Sequence, residues 1–256
     1  MWLCQSIAAL GGVVALATPC LAQAKVATVD VALVLAIDSS SSVSADEFYL
    51  QTQGLAAAFA DPEVQEAISR GPHGAIAVAI VEWANPDRQV ANLVWRVVRP
   101  ADLPALSAEL TDLPRLIDGG GTGLGAGLLD ATAMFAEAPR ATRRVIDVSG
   151  DGRTSAGPSA AAARDVAVAA GITVNGLAIV NEEPDLEAFY RDNVKGGPGA
   201  FVIRARDYED FTRAIRAKLL RELESSPLLS DGSGTLPAVS EAPQDGGNSH
   251  QVSDGT

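Results

Sequence analysis

Cysteine and histidine are scarce in this 256-residue sequence. The two cysteines, Cys4 and Cys20, lie in an apolar stretch near the N-terminus, so the rest of the chain contains none. This excludes intramolecular disulfides, thiolate metal sites and cysteine nucleophiles from the remainder of the protein. One histidine, His73, lies in a Gly-Pro-His-Gly turn and the other, His250, lies near the C-terminal end, so a Ser-His-Asp hydrolase triad is poorly supported.

Positively charged residues are also few compared with negatively charged ones. The chain has 19 lysines and arginines against 32 aspartates and glutamates, a formal net charge of −13. Long-range repulsion from such an acidic surface opposes binding to nucleic acids and to anionic membranes. The sequence therefore predicts no nucleic-acid partner, and its charge is compatible with cation binding without being specific to it.

The N-terminal segment has the features of a cleaved signal peptide. Residues 7–21 are apolar or small and carry no charge, and the stretch is too short to span a membrane stably. It is followed by Ala22-Gln23-Ala24, a small-x-small pattern that suits signal peptidase. We expect a signal peptide over residues 1–24, a mature chain that begins at Lys25 without a membrane span, and a periplasmic or secreted protein.

Strand and helix patterns alternate along the next two hundred residues, except that the second and third strand patterns follow each other directly. The predicted strands are Val31–Ile37, Gly74–Trp83, Gln89–Val98, Arg144–Val148, Ile172–Ile179 and Ala200–Ile203. The predicted helices are Ala45–Ala60, Leu103–Ile117, Leu124–Glu137, Ala160–Ala170, Leu186–Asn193 and Tyr208–Leu223.

This alternation predicts one α/β domain over residues 25–223. Its architecture would be a doubly wound, mostly parallel six-stranded sheet with helices on both faces. The short break Asn85-Pro86-Asp87 favours a hairpin, so the third strand is expected to be antiparallel and at an edge. Residues 224–256 are rich in Ser, Gly, Pro, Asp and Asn without periodicity, which predicts a disordered tail.

Three polar clusters follow predicted strands or lie in loops. The first is Asp38-Ser39-Ser40-Ser41-Ser42, the second is Thr122 in a glycine-rich loop, and the third is Asp151 before Gly152. Each alone is an ordinary turn or helix-cap pattern. Ligands of doubly wound sheets bind beyond the carboxyl ends of the strands, so clusters that converge at this edge indicate a binding site.

The side chains in these clusters suit a hard cation. Asp38, Ser40 and Ser42 alternate, so their side chains can point the same way in an extended turn. Mg²⁺ prefers about six oxygen ligands in octahedral array and usually keeps several waters. The carboxylates and hydroxyls of Asp38, Ser40, Ser42, Thr122 and Asp151 would supply part of that shell.

In order and approximate spacing, these residues resemble the complete metal-ion-dependent adhesion site of von Willebrand factor A domains, and the resemblance extends from about Val29 to Leu223. Asp38–Ser42 and Asp147–Gly152 further resemble an exported bacterial branch of that superfamily, a domain of unknown function named DUF1194. The resemblance implies direct ligation by Ser40, Ser42 and Thr122.

By the same resemblance, Asp38 and Asp151 act partly through water, and Mg²⁺ is the expected ion, with Mn²⁺ as the substitute. Neutral hydroxyl ligands leave the metal strongly electrophilic. Its open position would take an acidic side chain from a partner protein, which is a binding function rather than an enzymatic one.

The sequence departs from the family pattern in one place. A hydroxyl residue commonly stands immediately before Asp-Gly, whereas Gly150 separates Ser149 from Asp151 here. Asp147 is a competing carboxylate, although its position predicts that it lies too deep in the strand. Two alternatives stay open: a metal-dependent hydrolase that uses the same site, which ligation by Asp147 or Glu82 would favour, and a structural domain whose site stays empty.

Overall fold

The computed structural model describes residues 28–224 and contains a six-stranded sheet. The strands are β1 (Val29–Asp38), β2 (Ile76–Trp83), β3 (Gln89–Val98), β4 (Ala141–Gly150), β5 (Thr173–Ile179) and β6 (Val202–Ala205). Their order in the sheet is β3-β2-β1-β4-β5-β6. β3 pairs antiparallel with β2 at one edge, and the other pairings are parallel.

In residues 28–224, seven α-helices connect or flank the strands. They are α1 (Ala45–Ala60), α2 (Pro62–Arg70), α3 (Leu103–Thr111), α4 (Leu124–Met134), α5 (Ala160–Ala169), α6 (Leu186–Phe189) and α7 (Phe211–Glu224). Short 3₁₀ turns cover Pro100–Asp102 and Phe135–Glu137, and a π-helical turn covers Tyr190–Val194.

The core lies in two apolar layers, one on each face of the sheet, and β1 is buried between them. Val31, Leu33, Leu35 and Ile37 belong to the layer that includes α1, α2, α3 and α7. The alternate residues of β1 belong to the layer that includes α4, α5 and α6. A strand covered by helices on both sides has a continuous apolar sequence, which is why β1 lacks an inside–outside alternation.

The predicted fold class is confirmed, including the antiparallel edge position of β3. β1 and β4 are neighbours, with Val34 opposite Ile146, so the topological switch point lies where the two strands end. The polar residues that follow β1 and β4 are thereby brought to one crevice.

The predicted helix boundaries need correction in several places. α7 begins at Phe211 rather than at Tyr208, and α6 is α-helical only as far as Phe189 before it continues as a π-helical turn. α2 was not expected, and it begins at Pro62 after the N-cap Asp61. α3 ends at Thr111 rather than at 117, because the residue before Pro114 is disfavoured in helical conformation. The helix expected to run to Glu137 is α-helical only as far as Met134 and finishes in a 3₁₀ turn.

The predicted signal peptide and almost all of the predicted tail lie outside the described residues. Glu224, assigned to the tail, is the last residue of α7. Between residues 28 and 224, no helix is both long enough and apolar enough to cross a membrane.

Candidate metal centre

Asp38 ends β1 and is fully buried. Its Oδ1 accepts a hydrogen bond of 2.8 Å from the backbone N–H of Ser40, which folds the serine run back over the strand end. The hydroxyls of Ser40 and Ser42 share a hydrogen bond of 3.1 Å. The alternating spacing in the sequence therefore places the two hydroxyls side by side.

Asp151 joins this group from the neighbouring strand. The Ser42 hydroxyl donates a hydrogen bond of 2.7 Å to Asp151 Oδ1, and the Tyr208 hydroxyl donates one of 3.0 Å to Asp151 Oδ2. Asp151 immediately follows β4 and is 1% exposed. The ends of β1 and β4 thus bring two buried carboxylates and two serine hydroxyls together.

Electrostatics at this point favour a cation. Burial, reinforced by the charge of Asp151, raises the pKa of Asp38 to about 7 from its ordinary value of 3.8. Burial also raises the pKa of Asp151. A positive ion between two such carboxylates would remove the cost of holding their charges away from water.

One oxygen of the pair has no partner. Asp38 Oδ2 is buried and accepts no hydrogen bond from the described residues. An unpaired carboxylate oxygen inside a protein is expensive unless a hydrogen bond or a metal satisfies it. The Asp38 carboxylate and the hydroxyls of Ser40 and Ser42 are the kinds of oxygen donor that a hard divalent ion prefers, so the residues fit the expected metal.

Thr122 borders the same edge from the glycine-rich loop. Its backbone N–H donates to Ser155 Oγ at 2.9 Å, and the Ser155 N–H donates to Thr122 O at 2.9 Å. A Cβ placed on Gly152 would be 3.7 Å from Thr122 Oγ1. The Thr122 hydroxyl therefore lies beside the Asp151-Gly152 turn, as its sequence position predicted.

The glycine-rich loop is attached to the serine run by a pair of hydrogen bonds. The Ser41 N–H donates to Gly120 O at 2.9 Å, and the Gly120 N–H donates to Ser41 Oγ at 2.8 Å. Gly120 has a φ of +125°, a region that side chains disfavour. The Gly121 N–H donates to Asn85 Oδ1 at 2.5 Å, which ties the loop to the β2–β3 hairpin as well.

Glu82 and Arg115 hold the serine run in place through hydrogen bonds to Ser39. Glu82 Oε2 accepts hydrogen bonds from the Ser39 hydroxyl at 3.2 Å and from the Ile117 N–H at 3.0 Å. The Arg115 guanidinium donates to Ser39 O at 3.0 Å. Burial raises the pKa of Glu82. Glu82, whose ligation of the metal would favour the hydrolase alternative, thus contacts Ser39 and the 115–117 segment.

Asp147 also has other partners. It lies in β4 and forms a salt bridge of 2.5 Å with Lys218 of α7. Lys218 in turn pairs with Glu222 at 2.9 Å, and all three side chains are at most 2% exposed. Asp147 is therefore engaged with α7, in accordance with the depth expected for it.

The departure at Gly150 has a steric reason. A Cβ at this position would be 2.7 Å from Asp38 Oδ2 and 2.8 Å from Tyr190 Oη. The space that a side chain would need is taken by these two atoms. Asp151 nevertheless reaches Ser42, so the glycine does not displace it from the group.

Several residues of the centre have no recognisable sequence pattern. Tyr208 and Tyr190 are both buried, and burial raises the pKa of each above its ordinary value of 10, so both hydroxyls stay protonated. Gln51 of α1 donates to Asp38 O at 3.2 Å. His73, by contrast, is exposed, and its N–H donates to Asp30 Oδ1 at 3.0 Å at the amino end of β1.

Among the described residues, no group of three or more histidine, cysteine or acidic side chains converges in a way that could hold a metal ion. The centre contributes two carboxylates, and hydroxyls make up the rest. This composition differs from that of a carboxylate-rich site.

A family model described as "Protein of unknown function (DUF1194)" matches residues 28–227. A search of curated protein sequences gives no match. Solved structures with the same fold include proximal thread matrix protein 1 from the mussel byssus, in a form with a zinc-occupied MIDAS motif (the metal-ion-dependent adhesion site). It is 17% identical, with 76% of this chain and 46% of that chain covered and a TM-score of 0.52.

The PilB minor pilin from Streptococcus sanguinis is 15% identical, with 78% of this chain and 64% of that chain covered and a TM-score of 0.58. An aerotolerance-related membrane protein from Bacteroides fragilis is 19% identical, with 74% and 98% covered and a TM-score of 0.50. The chain spans about half the length of the mussel protein. These likenesses establish a von Willebrand factor A-like fold.

Proposed function

Since the chain belongs to the DUF1194 family and has a von Willebrand factor A-like fold, we propose that it is a protein-binding module that acts through a bound divalent cation. Asp38, Ser40, Ser42, Thr122 and Asp151 would hold the ion. The observation that carries the proposal is the convergence of two buried carboxylates and two hydroxyls at the ends of β1 and β4.

The side chains of the centre explain why a bound ion would also attract a ligand from a partner protein. The hydroxyls of Ser40 and Ser42 are neutral. The carboxylates of Asp38 and Asp151 are buried, and Asp151 accepts a hydrogen bond from Ser42. When bound, a divalent cation supplies the Lewis acidity that attracts a carboxylate from outside. We propose Mg²⁺ as the physiological ion, with Mn²⁺ as its substitute, and an acidic side chain of a partner protein as the ligand.

The mussel protein with zinc in its MIDAS motif supports a divalent cation at the corresponding edge of this fold. The predicted signal peptide over residues 1–24 supports a role outside the cytoplasm. We therefore place the interaction in the periplasm or outside the cell.

Isothermal calorimetry with Mg²⁺ and Mn²⁺ tests the metal site. The wild-type protein should bind one ion, and Asp38→Ala should abolish the heat. Asp165→Ala is a matched control because Asp165 is an exposed carboxylate on α5. Absence of metal heat from the wild-type protein would rule out the proposal.

A pull-down from the exported proteome tests the binding function. Capture of a partner should require Mg²⁺, should disappear in EDTA, and should be lost with Asp38→Ala but retained with Asp165→Ala. A partner captured equally well without metal and by the Asp38 variant would locate the interaction on another surface.

A further inference from the structure

Tyr190 reaches the candidate centre from the opposite side to α1 and α7. It follows α6 and is completely buried. A Cβ on Gly176 would be 2.6 Å from Tyr190 Cδ1, and a Cβ on Gly150 would be 2.8 Å from Tyr190 Oη. The ring therefore lies across β5 and β4 where two glycines leave room, and its hydroxyl is directed to the end of β4.

At that point the hydroxyl meets Asp38. The Cβ position of Gly150 is 2.7 Å from Asp38 Oδ2, so the carboxylate oxygen and the tyrosine oxygen flank the same point. Both atoms are buried, and neither has a hydrogen-bond partner among the described residues. A buried donor and a buried acceptor left unpaired would each cost free energy, and one hydrogen bond between them removes both costs.

The second carboxylate of the centre already shows such an arrangement. Tyr208 Oη donates to Asp151 Oδ2 at 3.0 Å, while Asp151 Oδ1 accepts from Ser42. Asp38 has the first half of this pattern, because its Oδ1 accepts from the Ser40 N–H. The missing half is a donor to Oδ2. The Tyr190 hydroxyl lies near it across the Gly150 Cβ position, and a small side-chain movement would bring the two oxygens into hydrogen-bond contact.

We propose that Tyr190 is a positioning residue for Asp38: its hydroxyl donates a hydrogen bond to Asp38 Oδ2 and fixes the carboxylate for metal binding. The metal part of this inference rests on the proposed function, whereas the Tyr190–Asp38 contact does not. Groups that orient the ligands of a metal commonly change its affinity by 10- to 100-fold.

Thermal unfolding in EDTA at pH 8 tests the contact without metal. Tyr190→Phe keeps the ring between the two glycines and removes only the hydroxyl. It should lower the Tm of the wild-type protein but should not lower the Tm of an Asp38→Ala background, because the acceptor is absent there. Tyr49→Phe is the control, since Tyr49 is 57% exposed, and should change neither background. An equal loss of Tm in both backgrounds would overturn the contact.

Calorimetry with Mn²⁺ tests the positioning role. Tyr190→Phe should weaken Mn²⁺ binding about tenfold or more, and Tyr49→Phe should leave it unchanged. Full affinity in Tyr190→Phe would overturn the positioning role. If the wild-type protein bound no Mn²⁺, the proposed function and the positioning role would both fail, and the unfolding comparison would still decide whether Tyr190 and Asp38 are in contact.

Discussion

Asp38 is a carboxylate buried beside another carboxylate, and this arrangement makes the metal-free protein sensitive to pH. The pKa of Asp38 is raised by burial to about 7, above its ordinary value of 3.8. The folded protein therefore binds a proton at Asp38 more tightly than the unfolded chain does. Stability from this group is fully present below pH 4 and is lost as the pH rises to about 7.

We expect the metal-free protein to become less stable between pH 4 and pH 8, with Asp38 accounting for up to about 4 kcal/mol. Asp38→Asn should give a shallower slope, because the substitution removes this titration. Some slope should remain, because burial also raises the pKa of Glu82, Asp147 and Asp151. Urea unfolding in EDTA at several pH values measures the slope. An identical slope in both proteins would contradict the role assigned to Asp38.

The second prediction at the residue scale concerns Gly150. Gly150→Ala should destabilise the fold by about 1–3 kcal/mol, as over-packing does, because the new Cβ would be 2.7 Å from Asp38 Oδ2. Metal affinity should fall as well. Gly152→Ala is the control, since the nearest atom to its Cβ would be 3.6 Å away. Urea unfolding and calorimetry should separate the two variants, and equal behaviour would show that the strand end tolerates a side chain.

At the scale of elements, α7 is attached to the sheet through a buried ion cluster. Lys218 lies between Asp147 of β4 and Glu222 of α7, and all three are almost fully buried. The Asn175 side chain of β5 donates to Glu222 Oε1 at 2.9 Å. Removing Lys218 would leave Asp147 buried without its salt-bridge partner, and Glu222 would keep only Asn175 and the charge of Arg143.

Lys218→Met should therefore lower the free energy of unfolding by about 3–5 kcal/mol. Arg216→Met on the same helix is the matched control, because Arg216 is about one-third exposed and pairs with Asp61 near the surface. Its loss should cost much less, because water screens an ion pair near the surface. Chemical denaturation of both variants measures the difference, and similar costs would mean that the buried cluster contributes little.

Also at the level of elements, the apolar runs made the strands predictable, and the helical periodicity that begins at Ala45 predicted α1. Ser44 caps that helix, with Glu47 completing a capping box. α2 was missed because it is short and follows α1 after the single residue Asp61, so the two helices merge in the sequence pattern.

The supporting side chains of the centre could not be predicted from the sequence. Tyr190, Tyr208 and Glu82 act through contacts between distant segments, and no local spacing marks them. Gly150 looked like a break in the family pattern. The structure shows the reason for the glycine, because Asp38 and Tyr190 occupy the space that a side chain would need.

At the scale of the whole molecule, binding of metal to the folded state alone should raise global stability. A Mg²⁺ concentration a hundredfold above Kd should add about 2.7 kcal/mol. Thermal melts of the wild-type protein with and without EDTA should show this gain, and Asp38→Ala should show none. An equal Tm of the wild-type protein with and without EDTA would contradict binding of the metal to the folded state alone.

The separation of the centre's residues along the chain sets an order of assembly. Ser42 and Asp151 are 109 residues apart, and Tyr208 follows Asp151 by another 57. A chain that grows from its N-terminus carries the serine run early, its second carboxylate only after β4, and the tyrosine that holds that carboxylate only after β6. Binding of an ion would thus be a late event in folding. A protein that retains the ion would be one in which β4, β6 and the segment with Tyr208 have already folded.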